Sequence, residues 1–304
     1  MKKLTFLITF LIAFNLNSQK KELRQVDKLI SQSFFDEANN NLSEIQSLVL
    51  SSEDKYKADF YFFKSRVSNE LENFDDAIAS YNSLKLINST EYSNKVKTEF
   101  ELLKNQIETS LVNSAVADNQ GEKYSEASTK LYMAYNLNKE KNKDYLYFAA
   151  GSAVNSKNYD KALLHYLELK DLNYTGIVTE YFVTNISSGV EEKVSESEYK
   201  VYEKSKEYNN PRIGETPSRY PEIVKNIALI YVQQGKNEIA IKAINQARQI
   251  QPDDTGLILN EADLYIRLSN NSNNDEDRKY YRLKFKELME LAITKEPENG
   301  ILYY

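Results

Sequence analysis

The sequence predicts an all-α protein of stacked helix pairs that carries one small inserted β-hairpin. Three observations lead there. Glycine and proline are scarce, 8 and 5 among 304 residues, and every proline lies at or beyond Pro211. So few breakers favour long helices over a strand-and-turn protein. Apolar residues recur three and four places apart through most of the chain, which puts them on one face of successive helices. Finally, a helix–turn–helix pattern with small residues at matching places recurs along the chain.

The chain opens on Met1-Lys2-Lys3, followed by an apolar run from Leu4 to Leu16 broken only by Thr5, Thr9 and Asn15. The run is short of the roughly 20 apolar residues that a membrane span needs. A positive start and a short apolar core are the pattern of a secretory signal peptide, with cleavage expected near Ser18-Gln19. Residues 1–18 are therefore expected to be removed and the remainder to be exported, periplasmic or secreted, and soluble. No second apolar stretch of that length follows, so no membrane span is expected. With no cysteine in the chain, lipid attachment at the cut, disulfides and thiolate metal sites are excluded.

After the leader, Phe35-Asp36-Glu37-Ala38 leading to Leu42 reads as the opening of a second helix, and Phe74-Asp75-Asp76-Ala77 leading to Tyr81 repeats it. Leu111, Ala115, Gly121, Tyr124, Ala127, Leu131 and Ala134 give a further helix pair. Leu146, Ala149, Ala150 and Ala153, then Asn158-Tyr159-Asp160, Ala162 and Tyr166 give another, and Ala162 follows Ala127 by 35 residues. The clearest unit runs from Pro221 to Asp254, with Val224, Ile227, Ala228 and Tyr231 on one face and Ala240, Ile244 and Ala247 on the next. Ala228 and Ala240 fall where two antiparallel helices cross closely, and Pro252 ends the second helix. The last unit has Ile258, Ala262 and Tyr265, then Met289, Ala292 and Pro297. It is stretched, and the polar stretch from Ser269 to Asp277 reads as a solvated loop that accounts for the extra length. That loop lacks the glycine and the closing glutamate of a calcium-binding EF-hand.

Residues 175–219 break the pattern. Glu180 to Asn185 is β-prone, Ser187-Ser188-Gly189 is a turn and Val190 to Val194 returns as a partner strand. A helix over Glu196 to Tyr208 and an irregular link through Pro211, Gly214 and Pro217 are expected to follow. This insertion is either a binding element or a decorative loop. The organisation expected is thus a signal peptide at 1–18, helix pairs over 19–174, the insertion at 175–219, and further pairs over 220–304 with the last one incomplete.

The unit from Pro221 to Asp254 resembles the tetratricopeptide repeat (TPR), whose pattern is W-x2-L-G-x2-Y, A-x3-F and P over about 34 residues. Tyr231, Ala240, Ala247 and Pro252 match, while Val224, Ala228 and Ile244 stand where the family has Trp, Gly and Phe. The resemblance implies a right-handed α-α superhelix whose first helices line a concave surface. On that surface it places Val112, Asn113 and Val116, then Tyr147, Phe148, Gly151 and Asn155. Lys225, Asn226 and Leu229 follow, then Asn260, Asp263 and Arg267. Asn113, Tyr147, Asn155, Lys225, Asn226, Asn260, Asp263 and Arg267 are the candidate binding residues. Asparagine there can both donate to and accept from a peptide backbone. Lys225 beside Asn226 is similar to part of the carboxylate grip of some TPR domains, but the other basic residues of that grip are unmatched.

The formal charge of −6 argues against nucleic-acid binding, since no basic excess exists to neutralise phosphates. His165 is the only histidine; it is expected at the surface, and no nucleophile motif surrounds it. No Gly-rich phosphate loop occurs. No catalytic residue, metal or cofactor is assigned. The reading is a non-enzymatic exported scaffold for a protein or peptide partner in the cell envelope, against a small-molecule or glycan-binding module built on the insertion and the concave face. Gly300 to Tyr304 look like the start of another first helix. Self-association through an uncapped end is expected from that.

Overall fold

The structure is a computed structural model that describes residues 19–300. The expected signal peptide and the terminal Ile301 to Tyr304 lie outside the described residues. The chain divides into two compact units, Met1–Asn142 and Lys143–Tyr304.

Among the described residues of the first unit the regular structure is all helical. Helix α1 covers residues 19–31, followed by α2 (Phe35–Leu50), α3 (Asp54–Glu70), α4 (Phe74–Lys85), a 3-10 turn (Ser89–Glu91), α5 (Asn94–Gln120) and α6 (Tyr124–Leu137). α3 packs on α4 and α5 on α6 as pairs, while α2 stacks on α3 and α3 on α5. Ala58, Ala77, Ala115 and Ala127 are wholly buried, as close crossings of helices require. Larger side chains, among them Leu42, Phe60, Phe62, Leu84, Leu103, Ile107 and Leu111, fill the space between layers.

The second unit begins with α7 (Lys143–Asn155) and α8 (Tyr159–Asp171). After the inserted elements come α10 (Tyr220–Gln233), α11 (Asn237–Ile250), α12 (Thr255–Asn271) and α13 (Asp275–Lys295). α7 packs on α8, α8 on α10, α10 on α11, α11 on α12 and α12 on α13. Each unit is thus a run of antiparallel helix pairs, with first and second helices alternating.

One turn recurs. Between the two helices of five pairs, a single residue takes left-handed backbone: Ser33 (φ 61°), Glu72 (56°), Glu122 (59°), Lys157 (60°) and Gly235 (69°). In each, two amides reach back to free carbonyls of the first helix; at Glu72, its own N–H donates to Asn69 O at 3.1 Å and Asn73 N–H to Ser68 O at 2.8 Å. This is the Schellman closure, and it satisfies acceptors that a helix end otherwise leaves to water.

The sixth pair departs from both this turn and the expected loop. α12 continues to Asn271 and α13 begins at Asp275, so most of the polar stretch is helical. The extra length lies in the helices. Asn274 caps α13 by accepting from Glu276 N–H at 2.9 Å, and Asp275, Glu276 and Asp277 sit in the first turn, where negative charge suits the helix dipole.

The insertion holds an antiparallel sheet of order β2-β1-β3, formed by β1 (Thr179–Asn185), β2 (Glu191–Val194) and β3 (Tyr208–Glu215), with α9 (Glu196–Tyr202) between the last two. The hairpin is where the sequence places it. The helix, however, ends at Tyr202, and the stretch expected to be an irregular link forms a third strand on the free edge of β1. Pro211 is accommodated because Asn210 and Pro211 together fall opposite Val183, in a bulge between the Arg212–Phe182 and Asn209–Thr184 pairs.

Ala228 and Ala240 are both fully buried in one cluster with Val232, Ala243, Ile244 and Leu264. Ala240→Leu is expected to overpack it and cost roughly 1–3 kcal/mol, with Ala240→Ser milder. Thermal denaturation of the two variants checks this; an unchanged melting temperature for Ala240→Leu would remove the close crossing.

Candidate binding surface on the first helices

In the second unit Tyr147 and Phe148 of α7 meet an arginine at the start of α10. Arg219 stands at the N-cap position of α10. Its guanidinium lies 4.5 Å from the ring centre of Tyr147 and 5.2 Å from that of Phe148. Nη1 is 3.5 Å from Asp144 Oδ1 and donates to the Tyr174 hydroxyl at 3.3 Å. Tyr174 in turn donates to Asp144. Tyr147 Oη donates to Glu222 Oε2 at 2.8 Å, and Asn226 Nδ2 donates to Tyr166 Oη at 3.1 Å.

Burial is the main cause that pushes the Tyr147 phenol up to about 12, with Glu222 adding to it. Burial likewise raises Tyr166 and Tyr174, with Asp144 contributing at Tyr174. All three phenols therefore remain protonated at neutral pH. Beside them, residues 172–178 with Lys143 and Asp144 line a shallow cavity of about 270 Å³. Phe148 is 45% exposed, so the stack presents an aromatic edge backed by a cation.

The other candidates are more dispersed. Lys225 is committed to Asp254, at 2.6 Å. Burial alone would raise the Asp254 carboxyl, but hydrogen bonds from Lys225 and the Leu257 amide hold it below the usual range. Lys225 therefore belongs to the cap of α12 rather than to a carboxylate grip. Asn260 turns its amide back to Gly256 O at 2.6 Å, and Asp263 and Arg267 pair with each other at 2.7 Å. Asn155 is exposed at the end of α7, and Asn113 is exposed on α5 of the first unit. A Cβ built on Gly151 meets nothing within 4 Å, so the surface there is open.

Sequence reasoning missed Arg219, Tyr174, Asp144, Glu222 and Tyr166 as parts of this cluster. Its one usable signal was Arg219-Tyr220-Pro221 at a helix start. The insertion's edges are poorly suited to strand addition: β2 is short and charged, and β3 carries the Asn210-Pro211 bulge. Its outer face is a charge ladder, with Lys193 on Glu180 at 2.5 Å and Arg212 on Glu191 at 2.9 Å. Arg212 also stacks on Phe182 at 4.0 Å.

His165 corrects the expectation of a surface histidine: it is 5% exposed on α8. Burial lowers it to about 4, Lys161 acting in the same direction and Glu168 against it. A folded value below the unfolded one means stability that is full above about 6.5 and is lost as pH falls toward 4. Between pH 7 and 4.5 the wild type is expected to lose about 1–3 kcal/mol more than His165→Gln. Urea denaturation of both proteins at the two pH values checks this. Equal losses would place the histidine outside the linkage.

Among the described residues no group of acidic or histidine side chains could hold a metal ion, and no helix is long and apolar enough to cross a membrane.

No family model matches the chain, and no curated protein does. Solved structures similar to it include the MamA protein, at 13% identity over 80% of this chain and 94% of that one, with a TM-score of 0.40. YrrB, described as a TPR protein with an unusual peptide-binding site, gives 14% identity over 80% and 88%, with a TM-score of 0.41. PilF of Pseudomonas aeruginosa gives 11% identity over 95% and 96%, with a TM-score of 0.36.

Proposed function

We propose that this chain is a non-enzymatic, exported repeat scaffold that holds a protein or peptide segment against its first helices. The observation that carries the reading is the division of labour on α7 and α10. Small and aliphatic residues (Ala149, Ala150, Ala153, Ile227, Ala228) make the packing. On the other side Phe148, Arg219, Tyr147 and Asn226 form a preassembled aromatic and polar surface. Aromatic and arginine side chains are the groups that most often anchor protein contacts. Export rests on the charged and apolar N-terminus.

A photo-crosslinking residue at Phe148 is expected to capture a partner from cell-envelope extract, while one at Leu164, 68% exposed on a second helix, captures none. Intact-mass analysis of the native protein is expected to show loss of about the first eighteen residues. Equal capture from both positions would end the surface assignment, and native protein retaining Met1 would end export. Binding on a glycan array without protein capture would favour the small-molecule reading.

A further inference from the structure

We propose that a second docking site lies in the first unit, where a pocket framed by α1, α3 and the start of α5 takes an acidic peptide segment that inserts one aromatic or large apolar side chain. The proposal rests on the scaffold reading above and names the chemistry of a partner at a different place.

The pocket has a volume of about 520 Å³, within the range of ligand-sized clefts. Leu23 and Phe63, both buried, form its floor, and the half-buried Tyr56 and Tyr92 form its walls. Tyr92 is held in place by donating to Leu84 O at 2.7 Å. Inside, Lys95 pairs with Asp27 and lies over the Phe63 ring. Ser93 Oγ donates to Asp59 Oδ1 at 2.6 Å. Burial raises the Asp59 carboxyl, the Ser93 hydrogen bond opposing it, which is what a poorly hydrated floor does to an acid.

The rim is different. Lys20 and Arg24 of α1 line it, both exposed and neither with an ion-pair partner among the described residues, and the equally exposed Lys21 and Lys28 stand beside them on α1, while Glu91 is the one exposed acid of the lining. α1 carries only Glu22 and Asp27 against them, and Asp27 is committed to Lys95. In a chain of net charge −6 this is a local field of the opposite sign, suited to steering and holding carboxylates. The apolar surface lies at the bottom of a concavity behind that rim. A side chain projecting from an extended peptide reaches it; a bilayer surface, which needs an exposed apolar face, does not.

The probes are short fluorescent peptides in which Asp and Glu flank a single Phe, with Lys-substituted and Phe→Gly counterparts. Affinity is read by anisotropy at low and high salt. The acidic Phe peptide is expected to bind, the Lys peptide not, and the Phe→Gly peptide markedly more weakly. Added salt should weaken binding. Lys20→Glu with Arg24→Glu is expected to weaken it about tenfold or more with an unchanged melting temperature, since neither side chain is packed. Equal binding of the Lys peptide, full affinity in the doubly reversed protein, or binding of phosphatidylglycerol vesicles without peptide binding would each overturn the proposal. Continued capture from Phe148 alongside such a result would leave the scaffold reading standing and remove only this site.

Discussion

Arg248→Ala is expected to destabilise the second unit by about 3–5 kcal/mol, because it strands a carboxylate in the interior. Glu261 on α12 is 4% exposed, and its partner there is Arg248 on α11. Tyr265, one turn further along α12, is buried as well, and the Arg248 side chain is 23% exposed, so the carboxylate is the more shielded of the two. Removing only the cation leaves the desolvation of the anion uncompensated, which is the expensive half of such an exchange. Removing both charges is different: Arg248→Met with Glu261→Leu keeps the volume and the packing and is expected to recover most of the loss. Chemical denaturation of Arg248→Ala and of the double variant tests this. An Arg248→Ala protein as stable as the wild type would show that Glu261 finds water or another donor in the folded state.

The helix pairs were legible because their signal is local and repeated. Ala115, Ala127, Ala149, Ala162, Ala228 and Ala240 recur at the crossings, and a three-and-four spacing marks the buried face around each. The turns were not legible, although they are equally regular. Four of the five left-handed closures use Ser33, Glu72, Glu122 and Lys157 rather than glycine, so the usual marker for that backbone is present only at Gly235. The third strand was missed because Pro211 and Gly214 read as breakers in isolation. They are admitted by a bulge and an edge that exist only once β1 is in place. Glu261 lies between Asn260 and Ala262 and looks like any helix-surface acid until α11 brings Arg248 against it. The binding surface divides the same way. Tyr147 and Asn226 follow from helical position, whereas Arg219 meets Tyr174 across 45 residues, a distance at which single-sequence spacing carries no information.

Gly176 sits where that long-range meeting occurs, and replacing it is expected to cost more than its backbone alone explains. Its φ is +57°, and a Cβ there would stand 2.7 Å from both Arg219 Cδ and the Tyr174 hydroxyl. The next backbone bond inward is Arg219 N–H to Thr175 O, at 2.7 Å, which joins the two ends of the insertion. Gly176→Val combines roughly 1–2 kcal/mol for left-handed backbone with roughly 1–3 kcal/mol of overpacking. Arg219 and Tyr174 are able to move aside, but only by giving up Asp144 and the stack on Tyr147, so relief of the clash dismantles the binding cluster. Gly189 supplies the control, since it has φ +70° with nothing within 4 Å of an added Cβ. Gly189→Ala is expected to cost only about 1 kcal/mol and to leave crosslinking from Phe148 intact. Gly176→Val should lose both stability and capture. If Gly176→Ala and Gly189→Ala prove equally mild and Phe148 still captures its partner in Gly176→Val, the Arg219 cluster is not the rigid platform that its geometry describes.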